Sequence, residues 1–200
     1  NMEIKNENLI AAYNAADESG KTMLRAMFPD MEWNETKNDN RPVTERIKTF
    51  EDAVEALGED HPAVAIYRQT TDAENVPLIP LLKNRDVVAF LKLRIITAAL
   101  NEGWEPQFTE EEWRYYPWYY LWTDEELAEK SEEWKQERCL RPIGEYKTQY
   151  SGFASAHSAT APSDTSATFG SRLCFKSDTL ADYAGKQFID LWMDFYLIRK

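Results

Sequence analysis

The segment from Glu112 to Trp122, EWRYYPWYYLW, constrains this chain more than any other: seven of its eleven residues are Trp or Tyr. Rings of that size stand well on a pleated, half-buried surface, so the segment predicts a β-strand. The two-residue period of a strand divides the rings by parity. Tyr116, Trp118, Tyr120 and Trp122 would line one face and pack against helices, while Trp113 and Tyr115 would begin the other, more exposed face. Core packing is the main role expected, because large rings fill the layer between a thin sheet and its helices. Seven rings exceed what one thin face hides, and the remainder would suit a binding surface. Pro117 has no N–H, so the strand should be an edge there, start there, or carry a bulge.

The residues before this strand read as helices. Leu9, Ile10, Tyr13 and Ala16 recur at helical spacing, with Gly20 placed to end that helix, and KTMLRAMF continues to Pro29. NETKNDNRP reads as a loop and VTERI as a short extended segment. Thr49 can cap FEDAVEAL, with Asp52 favouring the positive helix start and Gly58 ending it. Residues 62–74 predict a weaker helix. The strongest runs from Asn84 or Asp86 to Gly103, with a stripe of Val87, Leu91, Ile95, Ala98 and Ala99 widened by Val88, Phe90 and Ile96.

After Trp104 the pattern changes. TDEELAEKSEEWKQE, with only Leu127 and Trp134 as large apolar groups, predicts an exposed helical insertion, and GEYKTQYSGF predicts a strand. Residues 151–170 are mostly Ser, Ala and Thr and predict a mobile loop or an irregular hairpin tip. SRLCFKS predicts a strand with Leu173 and Phe175 on one side and Arg172, Cys174 and Lys176 on the other. Ser177 and Asp178 then open a last helix buried along Leu180, Ala184, Phe188, Leu191 and Phe195, with Trp192 beside the stripe. The expected fold is α+β: a helical N-terminal half followed by a small antiparallel sheet packed on a C-terminal helix. The expected organisation is one domain, with a helical part at 1–103 and the sheet with its helix at 104–200.

Charge narrows the function classes. The chain has 35 acidic against 23 basic residues and a net charge of −12. That balance opposes non-specific nucleic-acid binding and attraction to an anionic membrane. An acidic mimic of DNA is conceivable on charge alone. No apolar run approaches a membrane span, and Asn1 to Asn8 hold no apolar leader segment, so a cytoplasmic location is expected. Cys139 and Cys174 are the only cysteines and read as free thiols, Cys174 as a small buried hydrophobe.

Catalytic patterns are weak. Gly20-Lys21-Thr22 resembles the tail of a phosphate-binding loop, but Ala15 stands where the first glycine is needed and no strand precedes it. Ser155, His157 and Asp164 lie in a Ser/Ala stretch with none of the rigidity a triad needs. His61 and His157 are far apart and the cysteines are unspaced for zinc. Glu110, Glu111, Glu112, Asp124, Glu125 and Glu126 match no EF-hand pattern, and a solvated acidic face accounts for them. Paired carboxylates in an aromatic cleft would suit glycoside hydrolysis, but sequence does not set their separation. No catalytic residue, metal or cofactor is expected.

Three segments form a recognisable set: RIKTFEDAVEALG (46–58), LRIITAALNEGWEP (93–106) with YYPW (115–118), and GSRLCFKSDTLADYAGKQFIDLW (170–192). Together they resemble an uncharacterised protein family of Bacteroidetes-type gut bacteria, their phages and mobile elements. The resemblance covers most of the chain in corresponding order and departs at 123–137 and in the Ser/Ala loop. It implies a phage or mobile-element context and carries no catalytic residues. The leading expectation is a non-enzymatic accessory or interaction protein that meets a protein partner or associates with itself. The alternative is a module that stacks a sugar or single-stranded nucleic acid on Trp113, Tyr115, Trp118 or Trp122, with Arg114, Lys147, Arg172 and Lys176 supplying cations.

Overall fold

The computed structural model describes residues 9–10, 12–13, 16–29, 31, 33, 41–71, 85–107, 112–162 and 171–200. They fall into two units, Asn1–Arg41 and Pro42–Lys200.

In the first unit, α1 (Glu18–Met27) starts where Asp17 accepts the Gly20 N–H at 2.8 Å. Gly20 therefore lies inside the first turn rather than ending a helix. A methyl group there would sit 2.9 Å from the Ala16 Cβ, so glycine permits the tight entry. Tyr13 is buried and stacks on Trp33 at 4.7 Å, with the Arg25 guanidinium 5.3 Å from the Tyr13 ring centre.

Among its described residues, the second unit is mainly helical to Asn101 and then builds a sheet. VTERI, expected to be extended, forms the single turn α2 (Val43–Arg46), which follows Pro42 and carries Glu45 in its first turn. α3 (Phe50–Leu57) has the capping box expected at Thr49 and Asp52, and Gly58 takes a positive φ of 82° at its end. α4 spans Pro62–Thr71 and α5 spans Arg85–Asn101. α5 packs against α3, α4 and the C-terminal helix, so its burial exceeds one stripe. Leu91, Ile95, Ile96 and Ala99 are buried as expected, Leu93, Leu100 and Asn101 are buried as well, and Val87 is exposed. A helix surrounded on several sides is apolar nearly all round.

Among the described residues the sheet is three-stranded and antiparallel, in the order β1 (Trp113–Trp122), β3 (Gly152–Pro162), β2 (Arg141–Pro142). The α+β class stands, but the central strand comes from the segment expected to be a loop or hairpin tip. Trp113 pairs with Pro162 and Trp122 with Gly152. At its start the central strand sets small residues opposite large ones, Gly152 facing Trp122, Ala154 facing Tyr120 and Ser155 facing Tyr119, so the rings of β1 supply the bulk. Gly152 is closely covered there: an added methyl would lie 2.8 Å from the side-chain ends of both Leu127 and Leu140, which would have to shift. The expected strand at 144–153 is mostly turn and bend, with one bridge between Tyr146 and Arg199, and only its last two residues enter β3.

Residues 123–137 form α6 (Asp124–Ala128) and α7 (Glu132–Glu137), capped by Thr123 and Ser131. Their faces are largely polar, as expected, yet Leu127 seals Gly152 and Trp134 meets Trp122 edge-on at 5.1 Å. SRLCFKS is not a strand. Ser171–Leu173 is a 3-10 turn, and only Phe175 pairs in the sheet manner. Leu173, Cys174 and Phe175 are all buried, because the segment is enclosed between α5 and β1 instead of lying on a two-faced sheet.

The last helix breaks in two at Phe188, where φ is −113° and ψ 29°. α8 (Asp178–Gln187) is capped by Ser177, and α9 is Ile189–Tyr196. The expected stripe survives the break: Leu180, Ala184 and Phe188 are buried and Leu191 and Phe195 pack against them. Trp192 is fully buried and donates its indole N–H to the Ala184 carbonyl at 3.3 Å. Among the described residues, no helix is long and apolar enough to cross a membrane.

Candidate aromatic site

β1 is held in place by α8. Pro117 and Tyr119 lie against Gly185, and the Tyr119 hydroxyl donates to the Gly185 carbonyl at 2.9 Å. The Tyr119 ring stacks on Phe153 at 4.4 Å and meets Tyr196 edge-on at 5.8 Å. Burial, then the nearby Tyr196, raises the Tyr119 phenol well above its ordinary range, so it stays a neutral donor.

The expected parity holds at Trp113 and Tyr116 but is reversed from Pro117 to Leu121. Tyr116 is buried, but Trp118 and Tyr120, expected inside, are 40% and 51% exposed. Tyr115, expected on the exposed side, is half-buried against the main core. Trp113 is exposed as expected, at 53%. Trp122 is half-buried, lying between Tyr120 and Trp134 with the Lys130 ammonium 5.0 Å from its ring. The physical reason is Gly185. A helix glycine admits a strand so closely that the flat Pro117 ring fits against it, and this draws the odd positions inward. Pro117 in a strand and Gly185 within a helix are each locally unfavourable, and together they are the signal from which the facing could have been read.

The result is a cavity of about 300 Å³ lined by Pro117, Trp118, Tyr119, Leu121, Phe153, Tyr196 and Leu197. Its lining contains no charged side chain. Phe153, Tyr196 and Leu197 were missed from sequence, because they come from β3 and α9 and adjoin β1 only in the fold.

The candidate cations are dispersed. Arg114 is buried. The Lys176 ammonium is 3.1 Å from Glu102 and 3.3 Å from the Asn101 carbonyl, at the end of α5. Arg172 is exposed and its charge acts on Arg94, whose guanidinium is lowered by burial first and by Arg172 second. Lys147 donates its backbone N–H to Ile198 near the chain end.

Asn101 was also missed. Its buried amide donates to the Cys174 carbonyl at 2.9 Å and accepts from the Lys176 N–H at 3.1 Å, which holds Phe175 where it pairs with Tyr115. Only a polar residue at the end of an apolar helix hinted at this.

Burial pushes the Cys174 thiol up to about 11, the opposite of an activated nucleophile. The His61 ring nitrogen accepts from the Ala63 N–H, in a helix-start contact. Among the described residues, no three His, Cys, Asp or Glu side chains form a metal-binding group. Glu110, Glu111 and Asp164 lie outside the described residues. No family model, curated protein or solved structure matches this chain.

Proposed function

We propose that this chain is a non-enzymatic interaction protein of a phage or mobile element, and that it meets a protein partner through β1 and the cavity beside it. The observation that supports this most is the placement of Trp118 and Tyr120, partly exposed, next to an apolar cavity of about 300 Å³. Exposed rings beside an apolar recess are the composition of a binding hot spot. The phage or mobile-element setting rests on the resemblance carried by segments 46–58, 93–118 and 170–192.

A photoreactive phenylalanine analogue at Trp118 or Tyr120, in a Bacteroidetes host, tests the reading. A crosslinked protein band is expected from both positions and none from Glu55, an exposed site on α3. Absence of a band from both would refute it. Crosslinks to glycan or nucleic acid would favour the stacking module instead, which the exposure of Trp113 and Trp118 also supports.

A further inference from the structure

The outer edge of β1 is only partly used. β1 lies at the end of the strand order, and its partner on the far side among the described residues is Phe175, opposite Tyr115. That pair exchanges two hydrogen bonds, Tyr115 N–H to Phe175 O at 3.1 Å and Phe175 N–H to Tyr115 O at 2.7 Å. Tyr115 therefore directs both backbone groups away from β3.

The same direction holds along the strand. The register shift between Trp118 and Tyr119 adds Ala156 to β3, not to β1, so β1 keeps its alternation. Trp122 confirms it, since its carbonyl accepts from Ser151 on the β3 side at 2.8 Å. Ser155, opposite Tyr119, donates away from β1 to the Arg138 carbonyl at 3.0 Å. The Pro117 carbonyl and both backbone groups of Tyr119 and Leu121 thus face the outer edge.

We propose that this edge, from Pro117 to Leu121, receives an extended segment of the partner as an added β-strand. The proposal rests on the reading of β1 as a protein-binding surface and specifies the occupant. Unsatisfied strand edges are templates for another strand. The Tyr115–Phe175 bridge shows the same edge already taking an extended residue. The lack of an N–H at Pro117 limits the pairing to a short strand, opposite Tyr119 and Leu121.

Side chains of an added strand alternate between the faces. One set would enter the cavity beside Pro117, Tyr119 and Leu121, and the other would lie along Trp118 and Tyr120. Beyond the end of β1, Asp124, Glu125 and Glu126 are exposed in the first turn of α6, and the whole chain carries −12. The occupant is therefore an extended peptide of alternating apolar residues with Lys or Arg at one end. The same net charge disfavours a second copy of this chain.

The test is selection of random linear dodecapeptides on the full chain, followed by an N-methyl scan of the enriched peptides. Period-two apolar patterns with a basic end are expected. N-methylation should weaken binding about tenfold at alternate positions and leave the intervening ones unaffected, because one lost hydrogen bond is worth roughly one decade. The Tyr119 and Leu121 amides should gain exchange protection with bound peptide, and Glu125→Lys should weaken binding about threefold. Peptides with helical spacing, indifference to N-methylation, no enrichment, or blockage of the edge by dimerisation would each overturn strand addition. Protein crosslinks at Trp118 without the alternating signature would refute the strand mode alone. Loss of both results would refute the binding reading as well.

Discussion

Replacing Gly185 by alanine sets two effects of opposite sign against each other. Within a helix the exchange is favourable by up to about 1 kcal/mol. Here the new methyl would sit 2.9 Å from the Pro117 Cβ, 3.3 Å from its Cγ and 3.1 Å from the Tyr119 hydroxyl oxygen. Relaxed carbon contacts begin near 3.5 Å, so something must move. Pro117 is paired to Ser158 across β3 and cannot retreat alone. Overpacking of this kind costs about 1–3 kcal/mol. Displacing Tyr119 from the Gly185 carbonyl costs about 1 kcal/mol more. The net expectation is destabilisation by about 1–3 kcal/mol, which for a chain of this size lowers Tm by about 3–10 °C. Urea and thermal melts of Gly185→Ala measure it. In a Pro117→Gly background two of the three close atoms are gone, and the penalty should shrink. A variant as stable as the parent, or an unchanged penalty in that background, would show that close approach to α8 does not set the facing of β1.

Asn101→Ala leaves the Cys174 carbonyl and the Lys176 N–H without their buried partner and should cost about 2–4 kcal/mol by urea denaturation; a loss below about 1 kcal/mol would mean that the 174–176 segment holds without it. Asp52 is held below the ordinary carboxylate range by the backbone N–H groups of Lys48 and then Thr49. Its stabilisation is complete above about pH 4 and fades as pH falls through the lower folded value. Asp52→Ala should therefore cost about 1 kcal/mol at pH 7 and much less near pH 3, and a gap constant across that range would contradict the capping account. In timed thiol labelling at pH 8, Cys139 should react well before Cys174, whose thiol is both buried and raised to about 11; equal rates would place Cys174 outside the core.

Local chemistry made the capped helices legible. Thr49 with Asp52, Ser177 with Asp178, and the stripe from Leu180 to Phe195 act over one to a few turns, and the structure retains them. Position in the sheet was not legible. Residues 152–162 have the composition of a loop, and only the aromatic bulk of β1, thirty positions earlier at its near end, makes a Gly/Ala/Ser strand workable. The same holds for the site. Trp113 and Trp118 advertise themselves, whereas Phe153, Tyr196 and Leu197 join them through the fold. The parity of β1 failed because its alternation carries large rings on both faces, so hydrophobic pattern alone did not choose between them. Gly185, more than sixty positions away, made the choice.

The β1–β3 pairing also implies an order of assembly. Its two ends close loops of different length, from Trp122 to Gly152 at one end and from Trp113 to Pro162 at the other. Closing the longer loop first costs about 0.4 kcal/mol more in chain entropy. That difference alone is small, but the near end also gains contacts at once, because Leu127 and Leu140 converge on Gly152 while Tyr119 meets Phe153. Zippering should therefore begin at Trp122 and run toward Trp113, with α6 and α7 as the clasp that brings the strands together. Pairing across such a separation places this chain among slower folders than its helix content suggests. Substitutions at Leu127 or Leu140 should slow refolding, whereas changes near Trp113 should mainly speed unfolding.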